Sequence, residues 1–292
     1  MHPHPSLPRL LLLGALMLAP PLAAAQGTVG VDPVARLFEA VPGQTITQVL
    51  NIYNPNPATV PLNISAYLSD MDISETGETK YLPAGSLKES LKTWMTFSPA
   101  SLVLGGQQTQ QVRYTVQVPE GAAPGTHWIM LMFEGQDPSP KPGKTLATFR
   151  LRVAHTIYVN VGPIKRSGAI SGIFDQVPKS GDEPYNIGVQ YTNSGNAVVG
   201  VRGRIELRGS NGELATTLPL ELDVALPGRS LLLRASLGGP VPKGQYSALV
   251  VLTDGDAGRE LLGEHTLDLP FDLTAAPAAA APTPAPGSGG GK

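Results

Sequence analysis

Between residues 147 and 161 the chain alternates. Ala147, Phe149, Leu151, Val153, Ile157, Val159 and Val161 form an apolar row that also contains His155. Thr148, Arg150, Arg152, Thr156, Tyr158 and Asn160 form the mostly polar row between them. A period of two predicts a β-strand with one face in a core and one toward water. At about 3.3 Å per residue it would span roughly 50 Å, long against the usual strand of about 5–6 residues. Two readings are open: a terminal strand leading into a second domain, or a strand whose first half offers Phe149, Leu151 and Val153 to another chain.

The preceding residues repeat the pattern in shorter pieces. Residues 29–39 predict a strand broken by Pro33, as suits an edge, and residues 45–53 predict a second, ended by Asn54-Pro55-Asn56-Pro57. Val60, Leu62, Ile64, Ala66 and Leu68 predict a third, followed by a polar loop over 69–79. Ser86 and Glu89 have capping-box spacing, and Leu87, Leu91 and Trp94 share a helical face, so one short helix is expected there. Leu102 and Leu104, then Val112, Tyr114, Val116 and Val118, mark further strands. Residues 128–133 are apolar throughout, as in a central strand buried on both faces.

After Gly162-Pro163 the pattern restarts, with strands expected over 169–174, 185–192, 199–207, 218–226, 230–237, 246–252 and 261–269. Asn211-Gly212 between two of them predicts a hairpin turn with positive φ at both residues. Many short strands separated by Gly/Pro turns predict an all-β protein of two immunoglobulin-like β-sandwich domains in tandem, over 26–162 and 163–274. Residues 275–292 are Ala, Pro, Gly, Ser and Thr with Lys292 as the single charge, a composition that builds no core and reads as a disordered tail. Residues 1–25 read as a signal peptide: Arg9, an apolar run over 10–18 that is short of the about 20 residues a membrane span needs, then Ala23-Ala24-Ala25. The expectation is an exported protein of the periplasm or cell envelope with no later membrane span.

Composition narrows the chemistry. With 292 residues the chain has room for two cores, and a formal net charge of −2 offers no basic field for nucleic acid. Cys is absent, which excludes disulfides and thiolate sites. His127, His155 and His265 are widely spaced inside strand patterns, with no zinc spacing, phosphate loop or nucleophile elbow. Asp70, Asp72 and Glu75, and Asp254, Asp256 and Glu260, are acidic turns that match no calcium loop. The chain is therefore expected to be a binding protein and not an enzyme, with no cofactor and no metal.

The first domain resembles a family. Arg36-Leu37-Phe38, Pro42-Gly43, Leu50-Asn51-Ile52-Tyr53-Asn54, Phe97-Ser98-Pro99, Gln111-Val112-Arg113-Tyr114, Val118-Pro119-Glu120 and Ile157-Tyr158-Val159, in this order and spacing, look like the PapD-like N-terminal domain of periplasmic pilus chaperones. A weaker likeness is to Gram-positive extracellular sandwich proteins that bind peptidoglycan and surface proteins. The chaperone resemblance implies that the long strand is lent to an incomplete pilus subunit, with main-chain hydrogen bonds and a row of alternating apolar side chains. Here that row is Ala147, Phe149, Leu151 and Val153. The family holds the subunit's terminal carboxylate between an Arg on the first strand and a Lys on the long strand. Arg36 stands at the Arg position and Thr156 at the Lys position, so Arg152, on the same alternate face as Thr156, is the better substitute, with His155 the other. The expected function is a chaperone-like protein that binds pilus or envelope subunits by strand addition along 147–161. The alternative is a structural or adhesive module that binds cell wall or another surface protein.

Overall fold

A computed structural model describes residues 29–74, 78–136, 151–255 and 259–274, and for Leu151 the backbone alone. The expected signal peptide, the expected tail, Ala147 and Phe149 lie outside the described residues. The architecture is all-β, two sandwiches each with its own apolar core.

In the first sandwich, β1 (Gly30–Asp32), β3 (Thr45–Tyr53), β8 (Thr109–Gln117) and β6 (Met95–Ser98) form one sheet in the order β1-β3-β8-β6. The facing sheet runs β2-β10-β9-β4-β5, with β2 (Ala35–Ala40), β10 (Leu151–Val161), β9 (Gly125–Gln136), β4 (Leu62–Ile73) and β5 (Thr79–Pro83). A short β7 (Ser101–Leu104) also pairs with β4. The break expected at Pro33 is where the chain changes sheets, since β1 pairs with β3 and β2 with β10. Inward-facing Leu62, Ile64, Val112, Val116, Ile129, Leu131, Phe133, Ile157 and Val159 fill the space between the sheets. β9 is buried on both faces because a neighbour flanks each edge and the second sandwich packs against its outer side.

Two expectations fail here for one reason, competition from tertiary hydrogen bonds. The stretch around Ser86–Trp94 forms turns, and no helix occurs among the described residues. The buried Asp70 carboxylate accepts from the Gly85 and Leu87 amides at 3.0 Å each and from Ser90 Oγ at 2.6 Å, which takes the donors a helix N-terminus would present. Trp128 N donates to Glu89 O and Leu91 N to Trp128 O, so the backbone there pairs with β9. The loop expected over 69–79 is shorter, because β4 runs on to Ile73 and turns back as β5, Met71 opposite Tyr81.

The second sandwich pairs β11 (Gly168–Gln176), β12 (Tyr185–Asn193) and β15 (Ser230–Leu237) in one sheet. β14 (Leu214–Ala225), β13 (Val199–Gly209), β16 (Gly244–Asp254) and β17 (Glu260–Leu269) form the other, in that order. At the β13–β14 turn Gly212 alone takes positive φ, 79°, because Gly209 N donates to Glu213 O and Gly212 N to Gly209 O in a wider turn than a two-residue hairpin.

The two sandwiches share a corner device. Asn54, at the end of β3, donates from Nδ2 to Val60 O and Leu104 O and accepts the Asn56 amide on Oδ1. Asn193, at the end of β12, donates to Ala197 O and Ala225 O and accepts the Gly195 amide. Each buried amide satisfies main-chain groups where the chain turns a corner at the end of a strand.

Candidate strand-binding edge

β10 carries the strongest sequence signal, and its alternation is real. Val153, Ile157, Val159 and Val161 face the core, while Ala154 and Tyr158 lie on the outer side. On one edge β10 pairs antiparallel with β9 along its whole length, Leu151 opposite Gly135 through Val161 opposite Gly125. On the other edge β2 pairs with it in parallel, beginning only at Thr156 opposite Ala35. Thr156 N donates to Val34 O at 2.9 Å. Alternate residues of a strand point their main-chain groups to the same side. Arg152 and Ala154 therefore aim N–H and C=O at an edge that no described strand occupies.

The sequence-predicted residues divide between the two faces of this sheet. Arg36 lies beside Ile157 on β2 and turns inward. Its Nη1 donates to Gln48 Oε1, and its charge lies against the Tyr114 hydroxyl and His155. Arg152 is on the outer face, its Nε 2.8 Å from Glu134 Oε2, at a crevice of about 420 Å³ lined also by Tyr67, Tyr81 and Met132. Arg36 and Arg152 thus do not converge on one carboxylate. The outer-face partner of Thr156 across the β2–β10 ladder is Ala35, so neither strand offers a cation there. Val153 is half-buried against the core, and Leu151 takes strand geometry at the start of the described edge.

His155, which sequence reasoning offered only as the second substitute cation, has a different place in the structure. It is fully buried, with Nδ1 2.6 Å from Pro33 O and Nε2 3.1 Å from Tyr114 Oη. A carbonyl only accepts, so Nδ1 carries the proton, and the neutral ring accepts the Tyr114 hydroxyl on Nε2. Burial drives His155 down to about 4, with the Arg36 charge adding to this and the Pro33 hydrogen bond opposing it. Burial likewise pushes Tyr114 up to about 12 against the pull of Arg36. The available signal was position: His155 is the one polar side chain in the apolar row of the long strand.

Downstream of this edge the outer face meets the second sandwich. Met71, Trp128, Met130 and Tyr158 pack with Val198 and Leu226. Arg229 Nε lies 2.7 Å from Asp72 Oδ1. Val198 N donates to Thr126 Oγ1 at 2.7 Å, Thr126 to Asn160 Oδ1, and Asn160 Nδ2 to Glu39 Oε1 at 2.8 Å. Asp70 and Asp72 are thus engaged in separate contacts, and no group of three or more metal-ligating side chains occurs among the described residues.

No family model matches the sequence, and a search of curated proteins finds no match. Solved structures give likenesses of low identity. A class 5 fimbriae chaperone, CfaA, is 13% identical with a TM-score of 0.43, covering 84% of this chain and 100% of its own. The SafB chaperone of Salmonella enterica, solved in complex with the SafA pilin, is 14% identical with a TM-score of 0.42, covering 82% and 98%. The CsuC–CsuE chaperone–tip adhesion subunit complex of Acinetobacter baumannii gives 10% and 0.43, covering 81% and 97%.

Proposed function

We propose that this chain is a chaperone-like binding protein of the cell envelope that takes a pilus or envelope subunit by strand addition beside β10. One observation carries the reading: from Leu151 to His155 the strand is paired on the β9 side, while β2 starts only at Thr156. An incoming strand would continue the sheet through the main-chain groups of Arg152 and Ala154. The apolar row that would enter the partner is Val153, Leu151 and, upstream, Phe149 and Ala147. Recognition rests on the main chain and this row, because Arg36 is committed to the sandwich interior and Arg152 to Glu134.

The test is Ala154→Pro. Proline is tolerated where a strand's N–H faces an open edge, yet it removes the donor and crowds an added strand. The purified variant is expected to give the circular dichroism and melting curve of the parent. It is expected to lose, by about tenfold or more, the small β-rich protein that co-purifies from the native envelope. Ala154→Ser should retain it. A folded Ala154→Pro protein that keeps the same partner removes the edge from the mechanism. Unchanged pelleting of both variants with purified cell wall would then favour the adhesive module.

A further inference from the structure

The open edge stops where a chain of side-chain contacts begins: Pro33 O, His155, Tyr114, Arg36, Gln48. We infer that this chain is an acid-released latch, which holds the start of β2 against β10 and so sets where the open edge ends. That the length of this edge matters to a partner rests on the proposed function; the latch itself does not.

The geometry assigns every proton. His155 donates from Nδ1 to Pro33 O, and Tyr114 donates to Nε2. Arg36, opposite Ile157, donates to Gln48 on the facing sheet and lies beside the Tyr114 oxygen. The latch thereby joins β10 to the β1–β2 crossover and to both β3 and β8. A second proton on His155 breaks the scheme in two ways. The Tyr114 hydroxyl would face an N–H in place of a lone pair, and an imidazolium would stand beside the Arg36 guanidinium in a buried site. Arg36 from β2 and Tyr114 from β8 are the charged or titratable groups that act on the ring. Gln48 on β3 is neutral, and the residue opposite His155 on β9 is Leu131. β2 has little else to hold it, being a six-residue edge strand paired with β10 alone. Its entrance is fastened by Pro33 O to His155 and Val34 O to Thr156 N. The Pro33 bond itself favours the charged ring, but burial and Arg36 outweigh it, so the imidazolium leaves its pocket and takes the Pro33 contact with it. That leaves the second bond to fray, and the edge lengthens past His155. The low value of His155, about 4, puts the release in acid and keeps the latch shut near neutrality.

The experiment is nitrogen-15 NMR on the isolated exported chain, without any partner, between pH 7 and 3.5. The His155 ring is expected to report the Nδ1–H tautomer down to about pH 4. Amide exchange at Arg36 and Phe38, which the parallel ladder aims at β10, is expected to rise about tenfold or more from pH 5.5 to 3.5 after correction for intrinsic rates, with β3 and β8 still protected. His155→Gln, which can donate and accept without titrating, should abolish that rise. An Nε2–H tautomer, or the same acid rise in the variant, overturns the latch. If the variant does not fold, the tautomer and titration of the wild-type ring decide. No partner enters the assay, so its outcome is separate from the capture test with Ala154→Pro.

Discussion

The stability of the first sandwich should depend on pH through His155, and the size of the effect follows from its environment. The ring is fully buried and held neutral down to about 4, while an unfolded chain protonates it near 6.5. Below 6.5 the unfolded state binds the proton and the folded state refuses it, so acid favours unfolding. The contribution is whole above about pH 6.5 and is lost as pH falls toward 4. The gap between 6.5 and about 4, at about 1.4 kcal/mol per pH step, makes this roughly 3 kcal/mol. That is a large share of the about 5–15 kcal/mol available to a domain. Both tryptophans, Trp94 and Trp128, lie in the first sandwich, so fluorescence in urea follows that sandwich, Trp128 also sensing its contact with the second. Urea midpoints at pH 7.0, 5.5 and 4.5 should fall for the parent and fall less for His155→Gln, the difference isolating this one ring from the carboxylates. A difference between the two proteins that does not change with pH would refute the reasoning.

Three further perturbations test what holds the fold. Asn54→Leu leaves the Val60 and Leu104 carbonyls without their donor, at about 1–3 kcal/mol for each unsatisfied group, read as a lower urea midpoint of tryptophan fluorescence. Asn193→Leu should cost about the same in the second sandwich, read by calorimetry as a lower melting temperature of that sandwich. Asp70→Asn replaces a carboxylate that accepts three hydrogen bonds by an amide with one acceptor, and should destabilise the first sandwich by about 2–3 kcal/mol in the same urea assay.

Strand positions were legible because period two is a local property of the chain. β3 and β15 occupy the predicted residues, and the unbroken apolar run of 128–133 does mark a strand flanked on both edges and covered on both faces. What was not legible depends on partners remote in sequence. The capping-box spacing at Ser86 is genuine, but it loses to Asp70, fifteen and more positions upstream, and to the backbone of Trp128. Nothing local announces that Met71 will find Tyr81, so the hairpin of β4 and β5 reads as loop. Asn54 and Asn193 look like ordinary turn residues, and only the fold shows the same amide closing the same corner twice.

Arg36 shows why a motif can be found while the surroundings of its side chain stay illegible. The order of residues around it picks out the first strand correctly, but a one-residue step along a strand exchanges its faces. The parallel register sets Arg36 beside Ile157, whose side chain is fully buried in the core, and sets Ala35 beside Thr156 on the outer face. Register comes from pairing, which the sequence of one strand does not contain. Inside the sandwich a guanidinium needs partners, and Gln48 and Tyr114 supply them. The arginine then acts from within, keeping Tyr114 in place for His155 and, through His155, keeping the crossover at Pro33 closed on β10. Arg36→Met should therefore loosen β2, faster amide exchange at Phe38 being the measure, while leaving the outer-face main chain of Arg152 and Ala154 as it is. If Arg36 instead reached a bound carboxylate, the same variant would leave Phe38 protected and weaken only partner capture, and the two outcomes separate the roles.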